Sequence, residues 1–166
     1  VAERTGHAAA WLALALVLVT FGVVVLRYLF DFGSIALQEA TLYLHASLFM
    51  LGAAWTLKRD GHVRVDIFYR RLSARGRAWI DLMGTLLLLI PVSIFIAFSS
   101  YRYVRSSWAI LERSPDGGIP GVYLLKTLML VMVALLLLQA VAQLIRQTLI
   151  LRGKLTTTPP THEEII

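Results

Sequence analysis

Long apolar stretches alternate with short polar connections along almost the whole chain. Four of these stretches reach the length of about 20 mostly apolar residues that a membrane-spanning helix requires. The predicted helices cover residues 8–30, 37–57, 78–104 and 119–145. The connections between them are too short to fold as a separate soluble domain. The pattern therefore predicts an all-α integral membrane protein, with one bundle of four transmembrane helices over residues 1–151.

The two ends of the chain carry different signals. The first apolar stretch is longer than the core of a cleaved signal peptide, which has about 7–15 residues. No small-residue cleavage motif follows it, so we expect it to remain as a helix. Residues 152–166 are rich in Thr and Pro and have little to bury, which predicts a disordered cytoplasmic tail.

Composition supports the membrane prediction and changes the meaning of the charge. Hydrophobic residues make up 58% of the chain and charged residues 16%, whereas typical soluble domains have about 25% charged residues. The net charge is +6. In a membrane protein such an excess marks cytoplasmic loops, so no nucleic-acid partner is predicted. The chain has no cysteine, which excludes disulfides and thiolate metal sites.

The Lys and Arg residues are divided unequally between the two predicted sides of the membrane. Seven lie in the connection between the second and third stretches, one precedes the first stretch and three follow the fourth. The other side has only five. Because positive residues concentrate in the cytoplasm, both termini are predicted to be cytoplasmic. The other two connections then face outward.

Arg27 and Glu39 are the main charges at the predicted outer membrane boundary. The short turn between the first two stretches brings them to a similar depth. Ionisable groups in membrane segments usually pair or face a protein interior. We expect an Arg27–Glu39 ion pair, for which Asp31 competes, or a contact with a partner subunit. The alternative is that both side chains extend to the lipid headgroups.

The fourth stretch has four polar or turn-forming residues with structural roles. Pro120 suits the first turn of a helix, and Tyr123 suits the aromatic belt at the membrane interface. Lys126 lies about two turns inside, so it must extend outward or find a partner. Gln139 lies deeper, and its amide is expected to face another helix because lipid offers no hydrogen bond.

Small residues form stripes on the second and third stretches, at positions 40, 47 and 54 and at positions 93, 97 and 100. Such stripes allow membrane helices to approach closely. They are expected to serve contacts within the bundle, with a larger partner as the alternative. Pro91 lies in the middle of the third stretch and is expected to bend it.

No catalytic set is present, nor any metal-binding spacing or phosphate-binding loop. His45 lies inside the second stretch, where a haem ligand is one interpretation. No other histidine lies at a matching depth, so a histidine hydrogen-bonded at a helix–helix contact is favoured. The sequence predicts no enzyme, no cofactor and no substrate site. It also lacks the paired broken helices that build such sites in secondary transporters.

The connection after the second stretch contains the segment from His62 to Phe68, in which apolar and charged residues alternate. An interfacial segment at the lipid headgroups is the physical interpretation. Within it, Asp66 is placed to pair with Arg64 or with Arg70.

The order of these features resembles the small permease subunit of TRAP transporters, the DctQ-like family. The element from His62 through Arg64 to Asp66, which follows a glycine-alanine stretch ending at Trp55, is the most specific match. The remaining matches are residues 26–30 at the end of the first stretch, Gln38 and Glu39 opening the second, Gly118 to Pro120 with Tyr123 and Lys126 at the entry to the fourth, and the late Gln139. The second stretch departs from the family pattern, since Leu37 replaces a tryptophan and Gln38 an acid.

The resemblance implies a multi-pass subunit of the bacterial inner membrane, surrounded by lipid. In that family a periplasmic binding protein delivers an organic acid or related solute to a large permease subunit, which imports it with a cation gradient, usually sodium. The small subunit scaffolds the large one. The resemblance also suggests that outward residues dock the binding protein, namely Arg27, Arg102, Arg105 and Arg113. The alternatives are a haem-binding membrane anchor of a respiratory enzyme and a small stand-alone efflux pump.

Overall fold

A computed structural model describes residues 2–59 and 72–154 of the chain. Within these residues the fold consists of four helices, each long and apolar enough to cross a membrane. Helix α1 covers Ala2–Leu29, α2 covers Ile35–Lys58 and α4 covers Val122–Leu151. Helix α3 has three consecutive parts, Ala74–Gly84, Thr85–Leu89 and Ile90–Ala109. The structure confirms the predicted all-α class and the four helices, while the cytoplasmic location of both termini stays a prediction.

The turn between α1 and α2 is built from local hydrogen bonds. Asp31 adopts a left-handed conformation with φ of 50°, which reverses the chain after α1. Ser34 then caps α2, because its hydroxyl accepts a hydrogen bond from the Leu37 N–H at 3.4 Å. Two sequential helices are thereby joined as an antiparallel pair.

Helix α3 contains a π-helical turn over Thr85–Leu89, immediately before Pro91. Proline has no N–H group, and its ring collides with the carbonyl four residues earlier in a regular α-helix. The Ile90 N–H bonds to the Thr85 carbonyl, five residues back, which marks the widened turn. The expected effect of Pro91 on α3 therefore takes the form of a local widening, and the helix continues through it.

The packing contacts run in the order α1–α2–α4–α3. In the part of the chain that the structure describes, no comparable contact joins α1 to α3, so the row is open on its outer sides. Helix α3 presents a buried line of serines to α4, at Ser93, Ser100 and Ser107. On α4 the most buried residues are Val133 and Ala140. Small residues at this seam allow close approach of the two backbones, as the stripe on the third stretch predicts.

The observed helix bounds differ from the predicted ones at polar ends. Helix α3 begins at Ala74, because Ser73 caps it through a 3.2 Å bond from the Gly76 N–H, and it runs on to Ala109. Hydrophobicity predicts only the part that crosses lipid, whereas helical hydrogen bonding continues into the polar boundary. At the other loop, α4 begins at Val122 with Gly121 as its N-cap. The placement of Pro120 in the first helical turn is therefore wrong.

Candidate functional site

The polar contacts that join separate helices cluster at the two ends of the molecule. We call the end with the α1–α2 turn (residues 30–34) and the α3–α4 loop (residues 110–121) the loop end. We call the opposite end, where α2 and α4 finish and α3 begins, the terminal end.

Glu39 of α2 holds the α3–α4 loop at the loop end. Its carboxylate accepts a hydrogen bond from the Ser114 hydroxyl and another from the Ile119 N–H at 2.6 Å. Gly118 lies so close that a Cβ atom there would overlap the carboxylate. The Glu39 carboxylate thus receives its hydrogen bonds from a loop that is distant in sequence, and hydrogen bonds to a charged acceptor are strong. Glu39 fixes the entry to α4 against α2.

This arrangement corrects the expected ion pair between Arg27 and Glu39. Among the described residues Arg27 forms no ion pair, and its side chain is exposed beside a small cleft bordered by Phe32 and Gln38. Glu39 faces the α3–α4 loop, because α2 packs between α1 and α4. The sequence places Arg27 and Glu39 at similar depth but contains no information on which face of α2 meets the loop.

Lys126 of α4 has the partner that its position requires. Its ammonium donates to Glu112 with an N–O distance of 2.5 Å, and it lies 3.9 Å from the centre of the Tyr103 ring. The Lys126 side chain is only 13% exposed. An ion pair and a cation–π contact together compensate its removal from water. They join α4 to the end of α3.

Trp108 and Tyr123 extend the same contact between α3 and α4. Their ring centres are 4.7 Å apart at an angle of 65°, an edge-to-face arrangement. The indole N–H of Trp108 donates to the Thr127 hydroxyl at 2.8 Å. Tyr123 therefore packs on a specific aromatic neighbour near the start of α4, and its place in the aromatic belt of the membrane interface stays a prediction.

Acid is expected to weaken the α3–α4 contact through Glu112. Its hydrogen bond from Lys126 holds the pKa of Glu112 below its usual value. A lowered pKa in the folded state stabilises the protein fully above about pH 4.3, the usual glutamate pKa. That stabilisation disappears as the pH falls through the lowered pKa.

The melting temperatures of wild type and Glu112→Gln, measured in detergent from pH 7 to pH 3, check this expectation. The two curves should converge as the pH falls. A difference between them that stays constant to pH 3 would contradict it.

The terminal end has its own contacts between α3 and α4. The Gln147 side chain donates to Asp81 at 3.2 Å, and Arg75 donates to the Leu151 carbonyl at 3.5 Å. Gln139 lies further inside and lines a cleft together with Leu57 and Lys58 of α2. A contact of the Gln139 amide with a polar group of another helix stays a prediction.

The remaining predicted residues fall into exposed and undescribed groups. Arg102, Arg105 and Arg113 are all exposed at the loop end. His45 is also exposed, so it does not lie at a helix–helix contact within the described chain. The element at His62, Arg64 and Asp66 and the tail from residue 155 onward lie outside the described residues. Among those that are described, no group of His, Cys, Asp and Glu side chains is arranged to hold a metal ion.

The sequence does not predict the loop partners Glu112 and Ser114 or the close approach of Gly118 to Glu39, and it does not predict the role of Asp81 at the terminal end. Only part of the Glu112 contact had a signal, because a lysine inside a membrane helix requires a nearby acid, but nothing in the sequence distinguishes Glu112 from the other acids near that boundary. No comparable signal identifies Ser114, which is 75 residues from Glu39. Pairing of that kind is decided by the packing of α2 beside α4.

The chain matches a known family of membrane proteins over most of its length. Residues 16–149 match the family model described as "Tripartite ATP-independent periplasmic transporters, DctQ component". The match covers most of the chain and includes the Glu39 site and the Lys126 site. The chain belongs to this family, and it is therefore a transporter component and not an enzyme.

A curated relative supports the same assignment. The chain is 32% identical over 89 residues to a protein of Vibrio cholerae serotype O1 named "C4-dicarboxylate TRAP transporter small permease protein DctQ". The aligned part is 54% of this chain and 38% of the relative. The chain therefore matches well under half of that relative's length.

Proposed function

We propose that this chain is the small membrane subunit of a TRAP transporter in the bacterial inner membrane. In this proposal it scaffolds a large permease subunit, which imports an organic acid or related solute with a cation gradient, usually sodium. A periplasmic binding protein delivers the solute. Family membership supports the class, and the relative's name makes C4-dicarboxylates the first solutes to test.

The continuity of the helices is the structural observation that carries the scaffold role. Secondary transporters build their substrate sites from helices broken near the middle of the membrane. In the described residues each of the four helices is continuous, and even the π turn in α3 keeps its hydrogen bonding. The Glu39 and Lys126 contacts fix the loop end. Such an arrangement suits a static partner for a moving subunit.

Reconstitution tests this function directly. The full chain is co-expressed with a large TRAP permease subunit of the same genome and purified through a tag on the chain. Uptake of a C4-dicarboxylate is then measured in proteoliposomes with the cognate binding protein and a sodium gradient. We expect co-purification, and uptake that requires the chain and the gradient. Undiminished uptake without the chain, or transport by the chain alone, would refute the proposal.

The exposed arginines of the loop end support a docking role toward the binding protein. Arg27, Arg102, Arg105 and Arg113 are exposed there, whereas Glu39 and Glu112 are engaged in contacts within the chain. Two exposed acids, Asp31 and Asp116, offset part of this charge, so the exposed side chains of the loop end carry a smaller excess of positive charge. Charge of this kind accelerates association with a partner that presents acidic groups.

Reversing three of these charges, in Arg102→Glu with Arg105→Glu and Arg113→Glu, is expected to lower the uptake rate about tenfold at limiting binding protein. Co-purification with the large subunit should persist. The matched control reverses Arg152 and Lys154, which are exposed at the terminal end. Equal uptake in both variants would count against docking at the loop end.

A further inference from the structure

Helix α2 has one face that the other described helices leave uncovered. Exposed side chains recur on it at helical spacing, at Leu42, His45 and Phe49. The same face continues at Gly52, where a Cβ atom would meet nothing within 4 Å. We call these four residues the His45 face. Because α2 packs on α1 and on α4, the His45 face lies outside both of those contacts.

His45 lies near the middle of the membrane span. Helix α2 runs from Ile35 to Lys58, and each helical residue advances by about 1.5 Å. His45 is therefore about 15 Å from the start of α2 and about 20 Å from its end. The hydrocarbon core of a bilayer is about 30 Å thick. The imidazole is thus far from water and from the lipid headgroups on both sides.

His45 also differs from the hydroxyl-bearing side chains of the same helix. Thr41, Ser47 and Thr56 each donate to the backbone carbonyl four residues earlier, so α2 itself satisfies them. The His45 imidazole forms no hydrogen bond with any residue that the structure describes. An imidazole ring always carries at least one N–H donor. An exposed donor at this depth requires a partner, because hydrocarbon cannot accept a hydrogen bond.

The required partner is a membrane-spanning helix with a polar side chain. Acyl chains offer no acceptor, whereas polar side chains of neighbouring membrane helices bond to one another. Gly52 lies two turns beyond His45 on the same face, and the open space above it allows a second backbone to approach closely. The His45 face thus combines a polar group with a shallow place for a helix.

We propose that the His45 face binds a transmembrane helix of the large permease subunit, and that a polar side chain of that helix bonds to the imidazole near the middle of the membrane. This inference rests on the proposed function, in which the large subunit is the membrane partner of the chain. It assigns the contact to α2, the helix that also holds the α3–α4 loop through Glu39. The surface that meets the partner is then part of a helix that α1 and α4 fix on two sides.

The first experiment removes the polar group. The full chain and a large TRAP permease subunit of the same genome are purified in detergent, and the Kd of their complex is measured by titrating the fluorescently labelled chain. His45→Leu is expected to raise the Kd about fivefold, because an interhelical hydrogen bond is lost. His45→Gln should keep most of the affinity, since an amide also donates and accepts. The matched control is Thr20→Leu, which removes an exposed polar group of α1 at a similar depth, about 14 Å from the end of that helix.

The outcomes separate this inference from the proposed function. An unchanged Kd for His45→Leu, or an equal increase for Thr20→Leu, would overturn the role of the His45 face while the complex itself still forms. Failure of the wild-type chain to bind the large subunit would refute the proposed function as well. The melting temperature of the chain alone should be the same for wild type and His45→Leu. A lower melting temperature for His45→Leu would assign its effect to folding and contradict the proposal.

The second experiment fills the open space and keeps the histidine. Gly52→Leu is expected to raise the Kd about tenfold, because a larger side chain separates the two helices. Gly22→Leu is the control on α1, where a Cβ atom also meets nothing within 4 Å. Equal effects of the two substitutions, or no effect of Gly52→Leu, would count against close packing at this face.

Cross-linking identifies the occupant of the face. The photoreactive residue p-benzoylphenylalanine replaces Phe49, which is 69% exposed, or Phe95 of α3, which is 70% exposed. Helix α4 lies between α2 and α3 in the row of helices. We expect the probe at position 49 to cross-link to the large subunit and the probe at position 95 not to do so. Equal cross-linking from both positions would overturn the proposal, as would a cross-link from position 49 to a second copy of the chain or to its residues 60–71.

Discussion

Glu39→Ala is expected to lower the free energy of unfolding by about 3 kcal/mol, because two hydrogen bonds to a charged acceptor are lost together. The Ser114 hydroxyl and the Ile119 N–H would both lose their partner. The entry to α4 would then no longer be fixed to α2. Unfolding in detergent, followed by tryptophan fluorescence, measures the change. The Trp108 indole, which packs on Tyr123 of α4, reports locally.

Gly118 supplies an independent test of the same contact. Gly118→Ala should be about as damaging as Glu39→Ala, because its Cβ atom displaces the carboxylate from both donors. In the Glu39→Ala background, Gly118→Ala should have almost no further effect, since there is no carboxylate left to displace. Gly33→Ala is the matched control, because a Cβ atom there meets nothing within 4 Å.

If the losses of unfolding free energy in the Glu39 and Gly118 double variant were additive, they would contradict the contact.

The free energy of unfolding of Glu39→Gln is expected to lie between the values of the wild type and of Glu39→Ala. The amide keeps one acceptor for the Ile119 N–H and can donate to the Ser114 oxygen, but it has no charge. The same order of stabilities should appear in the yield of complex with the large subunit.

Ser100→Leu is expected to lower the free energy of unfolding by about 1–3 kcal/mol, the usual effect of forcing a larger side chain into a close-packed site. Ser100 is 5% exposed on the face of α3 that packs against α4. A leucine there would separate the two backbones. Denaturant titration in detergent measures the loss, and reduced co-purification with the large subunit should accompany it.

Ser99→Leu is the matched control for Ser100→Leu at the α3–α4 contact. Ser99 is the preceding residue on the same helix, and its side chain is exposed. The substitution adds the same atoms outside the α3–α4 contact, so stability should change by less than about 0.5 kcal/mol. A similar loss in both variants would show that the effect arises from α3 itself and not from its packing.

The candidate site shows where sequence reasoning succeeds and where it ends. Lys126 could be recognised from the sequence as a cation that needs a partner, because burial of a charge in a membrane helix has a large energetic penalty. Its partner could not be recognised, since Glu112 is one of several acids near that boundary. The same reasoning singles out Glu39, but the sequence pairs it with Arg27, its neighbour across a short turn. Spacing along the sequence suggests a partner that is close in the chain, whereas the direction of the Glu39 side chain in the fold decides which residues it contacts.

The four membrane-spanning helices and the resemblance to the small TRAP subunit follow from the amino-acid sequence alone. Both depend on local properties, namely the length of apolar runs and the order of short motifs, which act without reference to distant residues. The packing order α1–α2–α4–α3 and the contact of Glu39 with the loop around Ser114 and Ile119 become visible in the folded chain alone. Lipid gives apolar side chains almost no preference between one helix and another. The partners are therefore selected by small-residue seams and a few polar contacts between distant parts of the chain.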